Sequence, residues 1–400
     1  MSFLSNRITS LTVSATLAMT TKSRELKAQG IDIINLSIGE PDFDTPEFIK
    51  IAAKKAIDEN YTHYTPVPGY QELREAVANK LKRDNNLAYS ADQIVVSTGA
   101  KQAISNVLFS ILNPGDEVIV PAPFWVSYTE MIKLAEGEPV IIKSSIETNF
   151  KITAEQLQNA ITSKTKAMIF SSPCNPSGSV YSKDELFAFA QILMKYPNLV
   201  IISDEIYEHI NFNGDHQSIA QFEEVKNQVV VINGVSKGFA MTGWRIGIMA
   251  ANKEIADACI KLQGQTTSGT NSIAQRASIE AFHCIANESA DLKNMVKVFK
   301  ERRDLLFNLL KEIPGIKINL PDGAFYLFPD ISSYFGKTDG SCIINNADDL
   351  TLYLLNKATV ALVSGEPFGN EKCIRFSYAT SNAVLIEAAK RIKDALALLK

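Results

Sequence analysis

Residues 229–247 read VVVINGVSKGFAMTGWRIG, an apolar run that leads into a loop of small residues. The run is β-branched and apolar on both faces, which is typical of a strand inside a covered, mostly parallel sheet. Lys237 follows the run, and Arg245 comes eight positions later. A lysine in such surroundings is a candidate Schiff-base amine, because burial and nearby cations lower its pKa. Taken alone, the stretch fits a solvated loop lysine equally well.

Similar apolar runs recur on both sides of this stretch. They predict strands at 93–99, 117–123, 139–145, 166–172, 199–205, 229–234 and 246–252. Helix-like segments lie between them, among them 100–112, 184–195 and 253–263. Strands that alternate with helices predict an α/β domain with a mostly parallel sheet.

Two helix starts carry capping signals. Thr45 precedes Pro46 at the first helical position, and Glu47 follows in the first turn. Ser182 is followed three residues later by Glu185, which fits a capping box. We therefore expect helices to begin at both places.

The pattern changes after about residue 290. A long amphipathic stretch at 288–313 precedes strand-like segments at 324–329, 359–364 and 373–379, and a helix-like segment at 382–400 ends the chain. This order predicts a smaller α+β domain, and we expect the N-terminal arm, with a strand at 33–38, to pack on it. The predicted division is a large domain at 46–290 and a small domain made of 1–45 and 291–400.

Composition excludes several classes of protein. The 400 residues hold 40 Lys and Arg against 44 Asp and Glu, a net charge of −4, so no basic nucleic-acid footprint is expected. No apolar run reaches the roughly 18 residues of a membrane span, and we expect no signal peptide. The five cysteines are scattered without a CxxC pair, which favours free thiols in a cytoplasmic protein. The four histidines form no HxxxH pair, so we expect no zinc site.

The loops that follow the strands hold the residues suited to chemistry, and open α/β sheets bind ligands at that edge. Gly99 and Ala100 open a helix, which suits a phosphate, although an ordinary turn is the simpler reading of that loop alone. Trp125 is placed to stack on a planar ring or to fill the core. Asn175 stands between prolines that hold its backbone, as a plain turn would also require.

Asp204 closes an apolar strand, where a carboxylate needs a cation or a hydrogen-bond donor. Tyr207 comes three residues later and can reach the same pocket. Pyridoxal phosphate (PLP) needs a lysine for its aldehyde, a carboxylate for its ring nitrogen, a phosphate cradle and a ring to stack on. The strand ends supply all four.

With these motifs in view, the sequence resembles the class I aminotransferases of PLP fold type I, and specifically the bacterial aspartate aminotransferase subgroup. The resemblance runs from LSIGEPDF at 36–43 to CIRFSY at 373–378, and residues 234–247 fit the lysine-attachment signature of the family. It implies a large domain with a seven-stranded, mostly parallel sheet and a smaller α+β domain. It also implies PLP as cofactor, amino-acid and 2-oxo-acid substrates, and a homodimer with shared active sites.

By position, the resemblance also implies roles for single residues. Lys237 would bond to the cofactor and then move the substrate's proton, Asp204 would pair with the ring nitrogen, and Trp125 would stack on the ring. Asn175 and Tyr207 would hydrogen-bond the phenolic oxygen of the ring. The implied phosphate ligands are Gly99, Ala100, Lys101, Ser236, Arg245 and, from the neighbouring subunit, Tyr64.

The substrate side is implied in the same way. Gly39 and Arg375 would hold the α-carboxylate, with Trp125 and Asn175 beside it. Many aspartate aminotransferases bind the distal carboxylate through an arginine of the partner subunit, but the matching stretch here, QTTSGTNS at 265–272, has none. In the subgroup resembled here a lysine in the phosphate loop takes that role, and Lys101 occupies the place. Its alternative role is to neutralise phosphate only.

The implied reaction is amino transfer from L-aspartate to 2-oxoglutarate. A preference for aromatic or aliphatic donors and a PLP-dependent β-lyase on the same fold are the alternatives. Relatives that also transaminate prephenate carry a lysine near the N-terminus where this chain has Thr12, which argues against prephenate. Thr16 is a further candidate for lining the pocket.

Overall fold

The computed structural model describes residues 3–400. Its strands are β1 (Ile34–Asn35), β2 (Ile94–Ser97), β3 (Glu117–Pro121), β4 (Glu138–Ile142), β5 (Thr165–Ser171), β6 (Val200–Asp204), β7 (Val229–Gly234), β8 (Gly247–Ala250), β9 (Tyr326–Leu327), β10 (Val360–Ala361), β11 (Val363–Ser364) and β12 (Ile374–Ser377). Its helices are α1 (Asn6–Thr9), α2 (Ala15–Ala28), α3 (Glu47–Asp58), α4 (Gln71–Asn85), α5 (Ala100–Ile111), α6 (Ser127–Leu134), α7 (Ala154–Ala160), α8 (Lys183–Leu193), α9 (Lys253–Thr266), α10 (Ser272–His283), α11 (Ala290–Lys311), α12 (Ala347–Lys357) and α13 (Asn382–Leu396).

The centre of the fold is a seven-stranded sheet in the order β2-β8-β7-β6-β5-β3-β4. Only β8 runs antiparallel to its neighbours, so the predicted α/β class with a mostly parallel sheet is confirmed. Every residue of β2, β6, β7 and β8 is buried, as the two-sided apolar pattern requires.

The strand ends that carry the predicted site meet at one edge of this sheet. Ser171 pairs with Asp204 between β5 and β6, and Gly234 pairs with Gly247 between β7 and β8. Gly247 brings α5 close to the sheet, because a Cβ there would lie 2.2 Å from the amide nitrogen of Ala100. The start of α5 therefore joins the same edge.

The C-terminal part builds separate, smaller sheets. In one of them β12 lies between β11 and β9 with antiparallel pairing, and in the other β1 of the N-terminal arm pairs in parallel with β10.

The three largest hydrophobic clusters broadly follow the same division, although a smaller one joins Val126 and Phe150 to Phe328, Val363, Phe368 and Cys373. Two clusters pack around the seven-stranded sheet, and a third joins Leu36 to residues from α11 through α13. We propose on this basis that the domain boundaries fall near residues 46 and 290.

One of the two capping predictions is confirmed. Ser182 Oγ accepts a hydrogen bond from the Glu185 amide at 3.2 Å, and the Glu185 carboxylate accepts one from the Ser182 amide at 2.7 Å. At the other place the helix begins as predicted, since α3 starts at Glu47, but the capping role is wrong because Thr45 does not cap α3. Its hydroxyl donates to the Ala240 carbonyl at 2.8 Å and accepts from the Trp244 indole at 3.1 Å, so it serves the loop after Lys237.

Within residues 3–400, no helix is both long enough and apolar enough to cross a membrane.

Candidate active site

A cavity of about 290 Å³ opens at the edge where the strand ends meet. All the predicted site residues except Gly99 and Tyr64 line it. From the central sheet and its loops these are Ala100, Lys101, Trp125, Asn175, Asp204, Tyr207, Ser236, Lys237 and Arg245, and from the flanking segments Gly39 and Arg375. Residues that are far apart in sequence are therefore brought into one pocket.

Lys237 directs its amine into this pocket. Its Nζ donates a hydrogen bond to the Gly39 carbonyl oxygen at 2.6 Å. Burial lowers the pKa of Lys237 to about 8; Glu40 opposes this shift, and the nearby cations of Arg375 and Arg245 add to it. A larger share of this amine than of an ordinary lysine is therefore unprotonated near neutral pH, which favours its action as a nucleophile and a base.

Asp204 ends β6 and is only 4% exposed. The Tyr128 hydroxyl donates to its Oδ2 at 2.6 Å, and the Ile206 amide donates to its Oδ1 at 3.2 Å. Burial raises the pKa of Asp204 to about 6, against the opposing effect of these two donors. The carboxylate is thus oriented and poorly solvated, and a protonated ring nitrogen would be a favourable partner for it.

Arg375 is a buried cation, 1% exposed. Its Nη1 donates to Asn175 Oδ1 at 2.9 Å and its Nη2 to the Ser37 carbonyl at 2.6 Å. The rings of Tyr326 and Phe368 lie 4.7 and 4.9 Å from its guanidinium carbon. These partners are all neutral, and Nε is buried without a hydrogen-bond partner. Since a buried charge is costly unless it is paired, this position favours a bound anion.

The beginning of α5 is a second position in the cavity that would favour an anion. The first amides of a helix have no partner within it, and the helix dipole favours negative charge there. Arg245 stands beside this helix end and donates to the Thr242 carbonyl at 3.0 Å. Gly99 lies beneath Arg245 rather than on the cavity wall: its φ is +84°, and a Cβ would fall 2.3 Å from Arg245 Nη2. Gly99 thus makes room for the arginine.

Lys101 and Trp125 face each other at the cavity wall. Lys101 Nζ lies 4.9 Å from the Trp125 ring centroid, and burial, with Arg245 as a second cause, lowers its pKa. Trp125 packs edge to face on Tyr128, with the ring centroids 5.5 Å apart. The pocket therefore holds an aromatic wall with a cation beside it.

Tyr64 lies outside this cavity and is fully exposed. Its contact with a neighbouring subunit stays a prediction. Thr16 lines the cavity, as proposed from its place in the sequence.

Two tyrosines were missed by the sequence analysis. The Tyr128 hydroxyl donates a hydrogen bond to Asp204. The hydroxyl oxygens of Tyr326 and Tyr207 are 2.8 Å apart. The spacing of Tyr128 three residues after Trp125 was an available signal. For Tyr326 only the fold provides one, because its strand lies about 120 residues after Tyr207 in the sequence and reaches it through the tertiary structure.

Comparison with known proteins shows which family the chain belongs to. Residues 31–392 match the family described as aminotransferase class I and II. The chain belongs to this family. Because it belongs to this family, the protein is an aminotransferase (transaminase). Members of the family depend on PLP.

Individual relatives of this aminotransferase are similar along most or all of their length. An aspartate aminotransferase of Bacillus sp. (strain YM-2) is 48% identical over 97% of this chain and 98% of its own. A protein of Petunia hybrida named bifunctional aspartate aminotransferase and glutamate/aspartate-prephenate aminotransferase is 47% identical over 99% of this chain and 83% of its own. The crystal structure of the aspartate aminotransferase from Rhizobium meliloti superposes with a TM-score of 0.96 at 40% identity, covering 100% of both chains.

Proposed function

We propose that this aminotransferase binds pyridoxal 5'-phosphate in the cavity and transfers the amino group of L-aspartate to 2-oxoglutarate, giving oxaloacetate and L-glutamate. The observation that carries the proposal is the buried Arg375, a cation with neutral partners in the same cavity as the Lys237 amine. An amino acid presents a carboxylate and an amino group in close proximity, which matches that pair. The names of the Bacillus and Rhizobium relatives support aspartate as the donor.

The residues present fit the cofactor. Lys237 offers an amine with a lowered pKa, Asp204 a buried carboxylate with room for a partner, and Ala100 with Arg245 an anion site. Ser236 lies beside Lys237 and is a further phosphate ligand in this proposal. When bound, PLP supplies an aldehyde for the amine and an electron sink for the carbanion formed at the substrate's Cα.

Lys237 then acts as the base that moves the Cα proton. Its amine is held by the Gly39 carbonyl and is unprotonated to a large extent near pH 8. A positioned base of this kind contributes on the order of 10²–10⁴ in rate. Asp204, ionised above about pH 6, would keep the ring nitrogen of the cofactor protonated when PLP is bound, and Tyr128 fixes the orientation of the carboxylate.

Arg375 binds the α-carboxylate in this proposal. Its planar fork matches a carboxylate in two hydrogen bonds, which a lysine could not reproduce. Asn175 and the Ser37 carbonyl already hold the guanidinium, so little side-chain entropy is lost when the substrate binds. Gly39 completes this wall of the cavity.

Lys101 is proposed to meet the distal carboxylate of aspartate. We expect Lys101→Ala to reduce kcat/KM with aspartate by about 10-fold or more, because a charged hydrogen bond is worth roughly 1.5–3 kcal/mol, and to change the value with alanine much less. Steady-state rates with both donors measure this. An equal loss with the two donors would indicate that Lys101 only neutralises the phosphate.

A donor and acceptor panel on the purified protein with added PLP tests the reaction itself. We expect the highest kcat/KM with aspartate and 2-oxoglutarate. Good rates with phenylalanine or alanine and none with aspartate would favour the aromatic or aliphatic aminotransferase. Pyruvate and ammonia from a cysteine conjugate, without amino transfer, would indicate the β-lyase. Prephenate belongs in the panel, since the Petunia relative is named for it and Thr12 argues against it.

The proposal extends to assembly and location. A homodimer with shared sites would explain why Tyr64 is fully exposed and outside its own chain's cavity. The cysteines are free thiols, three of them buried, which supports a reducing compartment such as the cytoplasm.

A further inference from the structure

We propose that Tyr326 is a positioning residue that fixes the Tyr207 hydroxyl as a hydrogen-bond donor toward the cofactor. The inference rests on the proposed function and on the role that the family resemblance implies for Tyr207, a hydrogen bond to the phenolic ring oxygen of PLP. Tyr326 belongs to β9 of the C-terminal part, whereas Tyr207 follows β6 of the central sheet. The pair therefore joins two parts of the fold inside the cavity.

The two hydroxyls are buried together. Tyr326 is 0% and Tyr207 4% exposed, and their oxygens are 2.8 Å apart. A tyrosine hydroxyl has one proton to donate. If Tyr207 donates its proton to the cofactor's oxygen, the hydrogen bond between the two tyrosines must use the proton of Tyr326. The presence of Tyr326 thus leaves the Tyr207 proton free to point toward the cofactor.

Its surroundings hold Tyr326 in this position. The ring lies 4.7 Å from the Arg375 guanidinium carbon on one side and packs against Phe325, with the centroids 4.7 Å apart. Gly39 closes the remaining side, because a Cβ there would come within 2.7 Å of the Tyr326 hydroxyl. The hydroxyl therefore has little freedom to turn away from Tyr207.

The protonation state of Tyr326 suits this role. Burial raises its pKa, although the Arg375 cation and the hydrogen bond with Tyr207 oppose the shift. The hydroxyl accordingly stays protonated and able to donate. Hydrogen bonds in a chain polarise one another, so Tyr207 becomes a stronger donor when it accepts from Tyr326. A stronger donor stabilises negative charge on the ring oxygen of the cofactor.

Titration of the visible absorbance of the PLP-loaded protein tests the inference. Tyr326→Phe keeps the ring on Arg375 and removes only the hydroxyl. We expect the pH midpoint of the absorbance change to rise by roughly 0.3–1 unit, the range that one neutral hydrogen bond can supply. We expect KM for aspartate to change little, because the ring on Arg375 is retained. Tyr378→Phe is the matched control: this buried tyrosine donates to the Ala324 carbonyl at 3.1 Å and should leave the midpoint unchanged.

The double variant shows whether Tyr326 acts through Tyr207. In a Tyr207→Phe background the further change Tyr326→Phe should shift the midpoint no more, since coupled residues are not additive. An unchanged midpoint in Tyr326→Phe, or the same shift with and without the Tyr207 hydroxyl, overturns the inference while the proposed function stands. A wild-type protein that gains no visible band with PLP contradicts the proposed function, and the inference falls with it.

Discussion

Two ionisable side chains of the cavity, Lys237 and Asp204, are each shifted by burial toward the uncharged form. The pKa of the lysine falls to about 8 and that of the aspartate rises to about 6. Such opposite shifts in one cavity are typical of sites that handle protons. At the residue scale, keeping these charges in the pocket lowers the free energy of unfolding, and stability measurements can detect this.

Asp204→Asn should stabilise the cofactor-free protein in a pH-dependent way. Because the pKa of Asp204 is higher in the folded state than its ordinary value of 3.8, wild-type stability falls as pH rises through the window from 3.8 to about 6. The variant lacks this loss. We expect its advantage in free energy of unfolding to be about 1.5 kcal/mol larger at about pH 7.5 than at about pH 5. Denaturant unfolding at both pH values measures it.

The matched control for this experiment is Asp58→Asn, at the exposed end of α3. Its stability relative to wild type should change little between the two pH values. An Asp204→Asn variant whose advantage is the same at both would show that the buried carboxylate is not destabilised as described.

At the scale of elements, strands were easier to predict than side-chain partners. All seven strands of the central sheet lie within three residues of their predicted bounds, because two-sided apolar runs are local signals. Thr45 shows the limit of local signals. Its pattern with Pro46 is that of a cap, yet its hydroxyl binds Ala240 and Trp244, about 200 residues away.

In the candidate site, too, residues in local motifs were easier to predict than contacts made by tertiary packing. Lys237, Asp204 and Arg375 stand in recognisable motifs, whereas Tyr326 joins the site only through tertiary packing. No sequence spacing relates Tyr326 to Tyr207, so the sequence alone could not predict their hydrogen bond.

A local element can also be tested without touching the site. Ser182→Ala removes the hydroxyl that caps α8 and should reduce the free energy of unfolding by about 1 kcal/mol, a typical value for a lost cap. Steady-state kinetics should stay at wild-type values. Ser163→Ala, at an exposed turn before β5, is the control and should cost almost nothing. Equal stability of the two variants would contradict the capping role.

At the scale of the whole molecule, the question is whether two chains share their sites. A hybrid dimer can be made in which one subunit carries Lys237→Ala and the other carries Tyr64→Phe. If Tyr64 crosses to the neighbour, one site of each hybrid has both its own Lys237 and an intact tyrosine from the partner. The PLP affinity of that site should return to the wild-type value, measured by cofactor titration of the isolated hybrid.

The opposite result is equally clear. If Tyr64 served its own chain, every hybrid site that retains Lys237 would still carry the phenylalanine. Cofactor affinity would then stay as weak as in Tyr64→Phe alone, and the shared-site proposal would be contradicted.

The central claim is that the amine of Lys237 holds the cofactor covalently. The most direct measurement is borohydride reduction of the PLP-loaded protein followed by peptide mapping. We predict one stable label, on the peptide that contains Lys237. In Lys237→Ala we predict that both the label and the visible band are absent. A label on another lysine, or no label in wild-type protein that shows full activity, would contradict the account.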